Sequence, residues 1–574
     1  MMNRVVDYAV VVVYMVSMLG AGIWFSRKPE STEEYLLGGR TLPWWAVGIG
    51  FVMGLFSTYS IVMVPGEIFN HGLSLWIFSL LAPLFTILSF FIFIRFYFIL
   101  KSFTPFAYLE HRYNKNVRTV VAMIYGWSRL LYLAMVLFAT SKIFEGACGW
   151  HPVLSILLTS FVGIFYTFLG GRKAVIWTDV IQFVVLVCGL GAAIVVLCWN
   201  IDGGFFTAIR CALEQGHGLS LFQESSFYEF DVSNRLCFWI LLFNAIVGPM
   251  FSCCADQMSV QTLLCNRSYE AARKSIFLNP VLSIPFTLIL WFIGLGIVSY
   301  YYQHPDPGIQ NGDTAFFIFM SSKVPSPFFG LMISAMLAAA MSTINAGLNS
   351  MSTIYLKEFH LRLFRPELDE AGQVAVSRLC TVCVGIFTAL LASLIAVFSE
   401  RFRQSVVEVQ VVFDAFSVVI LPVFLLAVLT RKASPGIAWP FCFLCWGMNM
   451  GGIYWYTAAL SGLVENRQEL MPQLAAGLIL TATALAAAWL LRKSGWRKFF
   501  LYGGLGIAGF SCQLLFWFWR LCVGCEAGLG FSWVGIMGQL TFLAGGFVIT
   551  LLFGRNAPPE KSEGFTIWSC RRRS

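Results

Sequence analysis

Apolar residues in this chain do not alternate with polar ones; they fill long continuous runs separated by short charged connections. About 18 to 20 such residues in a row suffice for a helix to cross a bilayer, and about fifteen runs near that length recur from end to end. They cover residues 5–25, 44–69, 73–99, 119–147, 152–170, 175–199, 235–262, 275–303, 326–354, 379–399, 406–430, 436–460, 470–491, 499–520 and 531–554. The pattern predicts an all-α polytopic membrane protein, a single membrane domain over 1–574 that closes on a basic tail at 555–574.

Two runs are interrupted at their middle. In the second, Gly48, Gly50 and Gly54 precede the cluster Ser57-Thr58-Tyr59-Ser60, with Pro65 and Gly66 beyond. Such a helix unwinds easily, and unwound backbone at that depth is tolerated only where it lines a cavity. Five spans later Asn244 to Pro249, followed by the polar run Ser252 to Gln257, interrupts the seventh. Matching breaks five spans apart predict two five-helix halves, 44–199 and 235–430, in inverted topology. The run 5–25 is then an extra N-terminal span and 436–554 a peripheral group.

A third departure lies in Leu331 to Tyr355. Its middle is Ala338-Ala339-Ala340 followed by Ser342, Thr343 and Asn345. Small residues let another backbone approach, and buried hydroxyls need partners. Two readings stand: each hydroxyl bonds the carbonyl four residues back in a tight helix contact, or adjacent oxygens with the Ala339 carbonyl form half of a site for a hard monovalent cation.

Composition agrees with the pattern: 58% hydrophobic and 12% charged residues with mean hydropathy +0.76 lie outside the range of a soluble domain. With the first span running from outside to inside, the inner connections and tail hold about 27 Lys and Arg and the outer segments about eight. The amino terminus is therefore expected outside and the carboxyl terminus in the cytoplasm, in a plasma membrane of bacterial type. The net charge of +9 follows this rule and implies no nucleic-acid partner. The first span is too long, and too weakly basic at its start, for a cleaved signal peptide.

Candidate chemistry is sparse. The chain carries no Walker loop, dinucleotide-binding pattern, HExxH or GxSxG motif. Its 16 Cys are scattered as small hydrophobes, and Cys522/Cys525 is a lone CxxC without a second pair. No enzyme activity, cofactor or obligate protein partner is expected. Arg129 stands out, about ten residues into the fourth span, where an unpaired guanidinium costs several kcal/mol. Either Asp179, Asp256 or Asp414 balances it, or it meets a substrate carboxylate through its paired donors. Arg95 and Lys142 lie within reach of an interface and can snorkel.

The stretches Glu34-Tyr35-Leu36-Leu37-Gly38-Gly39-Arg40 with Leu42-Pro43-Trp44-Trp45-Ala46, Tyr166 to Gly171 with Val175 to Gln182, and the Leu331 stretch ending Leu348-Asn349-Ser350 resemble the sodium/solute symporter family, from about residue 5 to 435. That family includes sodium-coupled proline, glucose and sialic acid carriers. The resemblance implies a five-plus-five inverted-repeat core of the LeuT type with outer helices, sodium as coupling ion, and import of a small polar organic solute by alternating access. It places the main sodium site on the carbonyls of Met53, Phe56 and Ala339 and the hydroxyls of Ser342 and Thr343. A second sodium site falls on Asp179, Ser342, Asn345 and Ala346, degraded because an amide and a methyl replace two hydroxyls, so one sodium per cycle is expected.

The solute pocket falls on Ser57, Ser60, Leu75 and Ser79, with Arg129 and Gln257 as further candidates. Tyr59 and Ser60 stand where sugar carriers have a longer amide or acid, and the first break is nearer the sialic acid and monocarboxylate branch. The solute is accordingly carboxylate-bearing or a sugar. The arginine that sialic acid carriers use on this helix matches near Tyr132, one turn beyond Arg129. A membrane sensor built on the same scaffold, acting through a partner protein, is the alternative.

Overall fold

The computed structural model describes residues 5–25, 31–230, 237–306, 309, 312–402, 420–430, 539 and 565–566. The runs from 436 to 554, with Cys522 and Cys525, fall outside these residues but for position 539, and Asp414 and the rest of the basic tail lie outside them too. Every regular element among the described residues is helical. Among the described residues seven helices are long and apolar enough to cross a membrane, or eight if one bent pair counts as a single span. The fifteen spans read from the hydrophobic pattern are not confirmed, since the runs from 436 to 554 lie outside these residues but for position 539.

The helices are α1 (Val5–Phe25), α2 (Thr32–Leu37), α3 (Trp44–Leu55), α4 (Thr58–His71), α5 (Ala82–Ile99), α6 (Phe106–Arg112), α7 (Lys115–Cys148), α8 (Pro152–Asn200), α9 (Gly204–Glu214), α10 (Phe238–Cys254), α11 (Gln257–Leu264), α12 (Tyr269–Gln303), α13 (Gly312–Lys323), α14 (Phe328–Ile354), α15 (Glu370–Phe402) and α16 (Ile420–Leu429). The 49 residues of α8 are too many for one crossing at about 1.5 Å per residue. Its backbone breaks at Gly171 (φ 55°, ψ −152°), where a Cβ would come within 2.5 Å of the Tyr35 carbonyl oxygen. The turn thus separates the expected spans 152–170 and 175–199, and only glycine fits it.

The second span divides as the glycines and hydroxyls predict. Phe56 and Ser57 are extended between α3 and α4. The seventh span breaks later than its sequence suggests. Helix α10 passes through Gly248 and Pro249 without ending, and the bend of 54° comes between Cys254 and Gln257. Asp256 caps the new helix there, its carboxylate accepting the Ser259 amide at 3.2 Å and hydroxyl at 2.6 Å. A carboxylate that takes up a free amide of a helix start stabilises the break at that point.

Two compact units are present. The first spans Met1–Pro105, Arg129–Phe227 and Asn244–Val407, and α14 runs through its interior, with every residue from Met332 to Ile354 buried. Helices α8, α1, α3 and α15 pack around it. Helix α1 is tied in by Asp7, whose carboxylate accepts the Gly330 amide at 2.9 Å. The second unit spans Phe106–Ser128, Tyr228–Phe243 and Glu408–Ser574. In it Arg112 is buried and donates to the Ala427 carbonyl at 2.8 Å and the Thr430 carbonyl at 2.5 Å, satisfying the end of α16.

Candidate functional site

Helix α3 ends at Leu55, so the carbonyls of Met53 to Phe56 lie past the last amide that could close a helical turn onto them. Met53 is fully buried, and α3 packs on α14. On α14, Ser342 and Thr343 have no exposed surface. Thr343 Oγ1 donates to the Ala339 carbonyl at 3.2 Å, and Ser342 Oγ donates to Asp179 Oδ1 at 2.7 Å. The back-bonding expected of a packing threonine is therefore present. It leaves the oxygen lone pairs of both hydroxyls unused, which is the state in which a hydroxyl ligates a cation. Thr58, the first residue after the break, donates to the Met336 carbonyl at 3.0 Å, holding α4 against α14 near the same level.

Asp179 is buried with its second oxygen, Oδ2, without a hydrogen-bond partner. That oxygen lies beside Gly50, whose Cβ, if present, would be 3.3 Å away. Asn345 turns to the first half of α8: its Oδ1 accepts the Thr167 hydroxyl at 3.3 Å, and its Nδ2 has no partner. Ser160 on the same half also carries an unpartnered buried hydroxyl. The second-site residues thus form a buried polar group in which Ser342 is bonded to Asp179 while the Asn345 carbonyl is engaged elsewhere.

A cavity of about 330 Å³ opens at the break between α3 and α4. Phe56, Ser60 and Ser79 are among its lining residues. Ser57 is buried outside the lining, and the Leu75 side chain lies outside the described residues. The remaining polar lining comes from Thr86, Ser252, Asn279, Ser283 and Thr287, with the Trp76 indole N–H unpartnered. Asn279 and Ser283 are four residues apart on α12, where Ser283 donates to Asn279 Oδ1 at 2.6 Å. Sequence reasoning missed this pair, whose signal was a polar i, i+4 couple flanking Pro280 in an apolar run.

Arg129 and Gln257 do not line this cavity. The Arg129 guanidinium pairs with Asp256, one of the three acids its depth demanded, and lies 4.7 Å from the centre of the Tyr132 ring. Asp179 is not its partner in this ion pair. Gln257 donates to the Phe103 carbonyl and to Gln261 Oε1, both at 3.0 Å; Gln261 in turn reaches the Leu36 carbonyl at 2.6 Å and Asn349 and Thr353, each at 2.8 Å. This buried amide chain ties α11 to α14 and to α2. Lys142 pairs with Glu145 at 2.8 Å, with each side chain partly exposed, as a snorkelling lysine does.

A model described as the sodium:solute symporter family matches residues 35–439. The sodium/sialic acid symporter of Proteus mirabilis (strain HI4320) is 25% identical over 443 residues, which cover 75% of this chain and 86% of that protein. The sodium/glucose cotransporter of Vibrio parahaemolyticus is 25% identical over 455 residues, 75% of this chain and 81% of its own length. A solved structure of a Na+-coupled sialic acid symporter, in a substrate-bound outward-open state, is similar with a TM-score of 0.73 at 20% identity, covering 96% of this chain and 99% of that one.

Proposed function

We infer, because this chain belongs to the sodium:solute symporter family, that it is a sodium-coupled symporter importing a small polar organic solute by alternating access. The core is read as two inverted five-helix repeats of the LeuT type, 44–199 and 235–430, with α1 and the later spans outside it. The main sodium site is assigned to the Met53, Phe56 and Ala339 carbonyls with the Ser342 and Thr343 hydroxyls. These atoms offer about five oxygens to a hard cation, and Phe56 belongs at once to this set and to the cavity wall. Sodium binding would fix the break of the second span and so shape the solute cavity, which is how one ligand's free energy can order the site of another.

The observation that carries the solute class is the cavity's lining: hydroxyls, an amide and an indole N–H, with no ionisable side chain among the described residues. Such a lining suits a neutral, hydroxyl-rich solute of sugar type. A carboxylate would enter without a facing cation, since Arg129 is engaged by Asp256. The basic inner connections support an outside amino terminus and a cytoplasmic carboxyl terminus in a plasma membrane.

Uptake of radiolabelled sugars, sialic acid and short monocarboxylates into proteoliposomes, with and without an inward sodium gradient, tests this reading. Gradient-driven uptake of a neutral sugar, against which the acids compete poorly, is the expected result. Uptake confined to the acids would overturn the solute class, and solute binding without gradient-driven movement would favour the sensor.

A further inference from the structure

Away from the solute cavity, a surface recess of about 540 Å³ lies between α3, α5 and α12. Trp44, Phe91, Phe277 and Val281 form its apolar wall, exposed by 40%, 43%, 48% and 62%. Arg273 and Lys274, both exposed, stand at its rim one turn before Phe277 and Leu278. The recess exists because α3 sits close on α12: Ser275 Oγ donates to the Trp44 carbonyl at 2.7 Å, and a Cβ on Gly48 would lie 2.9 Å from the Ser275 carbonyl oxygen.

A third cation belongs to this level. Helices α5 and α12 run antiparallel, since Phe91 meets Phe277 and Phe98 meets Tyr269. That register brings Arg95 level with Ala272 and Arg273. Neither Arg95 nor Lys274 has an ion-pair partner among the described residues, and Arg273 has only the exposed contact to Glu270 at 3.2 Å. Two cations thus rim an apolar recess, with Arg95 level with them on α5, at an end of the spans that the charge bias assigns to the inner side.

We propose that this recess binds an anionic phospholipid, its phosphate held by Arg273, Lys274 and Arg95 and an acyl chain lying along Phe91, Phe277 and Val281. Charge complementarity chooses the occupant. A zwitterionic lipid cancels most of the attraction, whereas an anionic headgroup on the inner leaflet gains from every cation at its surface. Trp44 sits where an amphipathic ring lies at headgroup level. The site is separate from the solute cavity, shares no lining residue with it, and stands whether or not the solute assignment does.

The test uses the full chain in a neutral detergent, with lipid binding followed by native mass spectrometry and by melting temperature. The probes are dioleoylphosphatidylglycerol, dioleoylphosphatidylcholine and inorganic phosphate. The expected result is preferential binding of phosphatidylglycerol, weakened at least about tenfold in Arg273→Gln/Lys274→Gln, with phosphatidylcholine unaffected. Should the double variant lose its melting transition, Lys274→Gln alone, at an exposed position, carries the comparison. Equal binding of the two lipids, undiminished phosphatidylglycerol binding in the variant, or displacement of the lipid by inorganic phosphate would each overturn the proposal.

Discussion

Ser342 on α14 donates a 2.7 Å hydrogen bond to Asp179 in the second half of α8, so a residue assigned to the main sodium site is held by the acid assigned to the second. The bond settles where the Ser342 proton goes and leaves its lone pairs for a cation. Any change at Asp179 is therefore expected to reach the main site through Ser342.

Removing the two hydroxyls, Ser342→Ala with Thr343→Ala, is expected to raise the sodium concentration for half-maximal uptake by at least about tenfold. Losing two of about five oxygen ligands costs more than the roughly 1.4 kcal/mol that a tenfold change represents. An unchanged sodium dependence in protein that still melts cooperatively would remove these residues from the site.

Arg129 and Asp256 make the second prediction. Because Asp256 also caps α11, Arg129→Gln leaves a nearly buried carboxylate without its guanidinium, and a loss of about 3 to 5 kcal/mol in stability is expected. Arg129→Gln/Asp256→Asn should recover most of that loss. A single variant that melts normally yet no longer binds solute would instead show the arginine contacting the solute directly.

The coupling ratio gives the third. With Asn345 turned toward Thr167 and Ala346 bearing no side-chain oxygen, the proposed second site is expected to be short of about one ligand. Reversal potentials in proteoliposomes are expected to give one sodium per solute. Asn345→Ser with Ala346→Ser, which restores both hydroxyls beside Asp179, should move the ratio toward two. A ratio of two in the unchanged protein would show that the amide and water complete the site.

The fourth concerns the cavity. Asn279→Ala removes an amide from the lining and releases Ser283. A lost hydrogen bond of about 0.5 to 1.5 kcal/mol predicts a rise in half-saturating solute of up to roughly tenfold. Sodium-dependent stabilisation without solute should stay as it was, and a parallel loss of both would place Asn279 in the sodium site's support.

The hydrophobic pattern by itself determined that this chain spans a membrane many times, because the length of an apolar run needs no partner to be meaningful. The glycines and hydroxyls around Phe56 marked the first break for a similar local reason: the helix there lacks both propensity and side-chain packing. Gly248 and Pro249 misled, because a proline inside a membrane helix is tolerated where neighbours absorb the freed carbonyl, whereas the capping contact of Asp256 with Ser259 becomes visible only once the chain has turned. Which acid would meet Arg129 was open among three in the sequence and was decided by the meeting of α7 with the break after α10. The pocket shows the same division. Ser60 stood beside the break and Ser79 was implied by the family resemblance, but Asn279, Ser283 and Thr287 lie about two hundred or more positions away, and only the packing of α12 against α4 and α5 brings them to the same 330 Å³ of space.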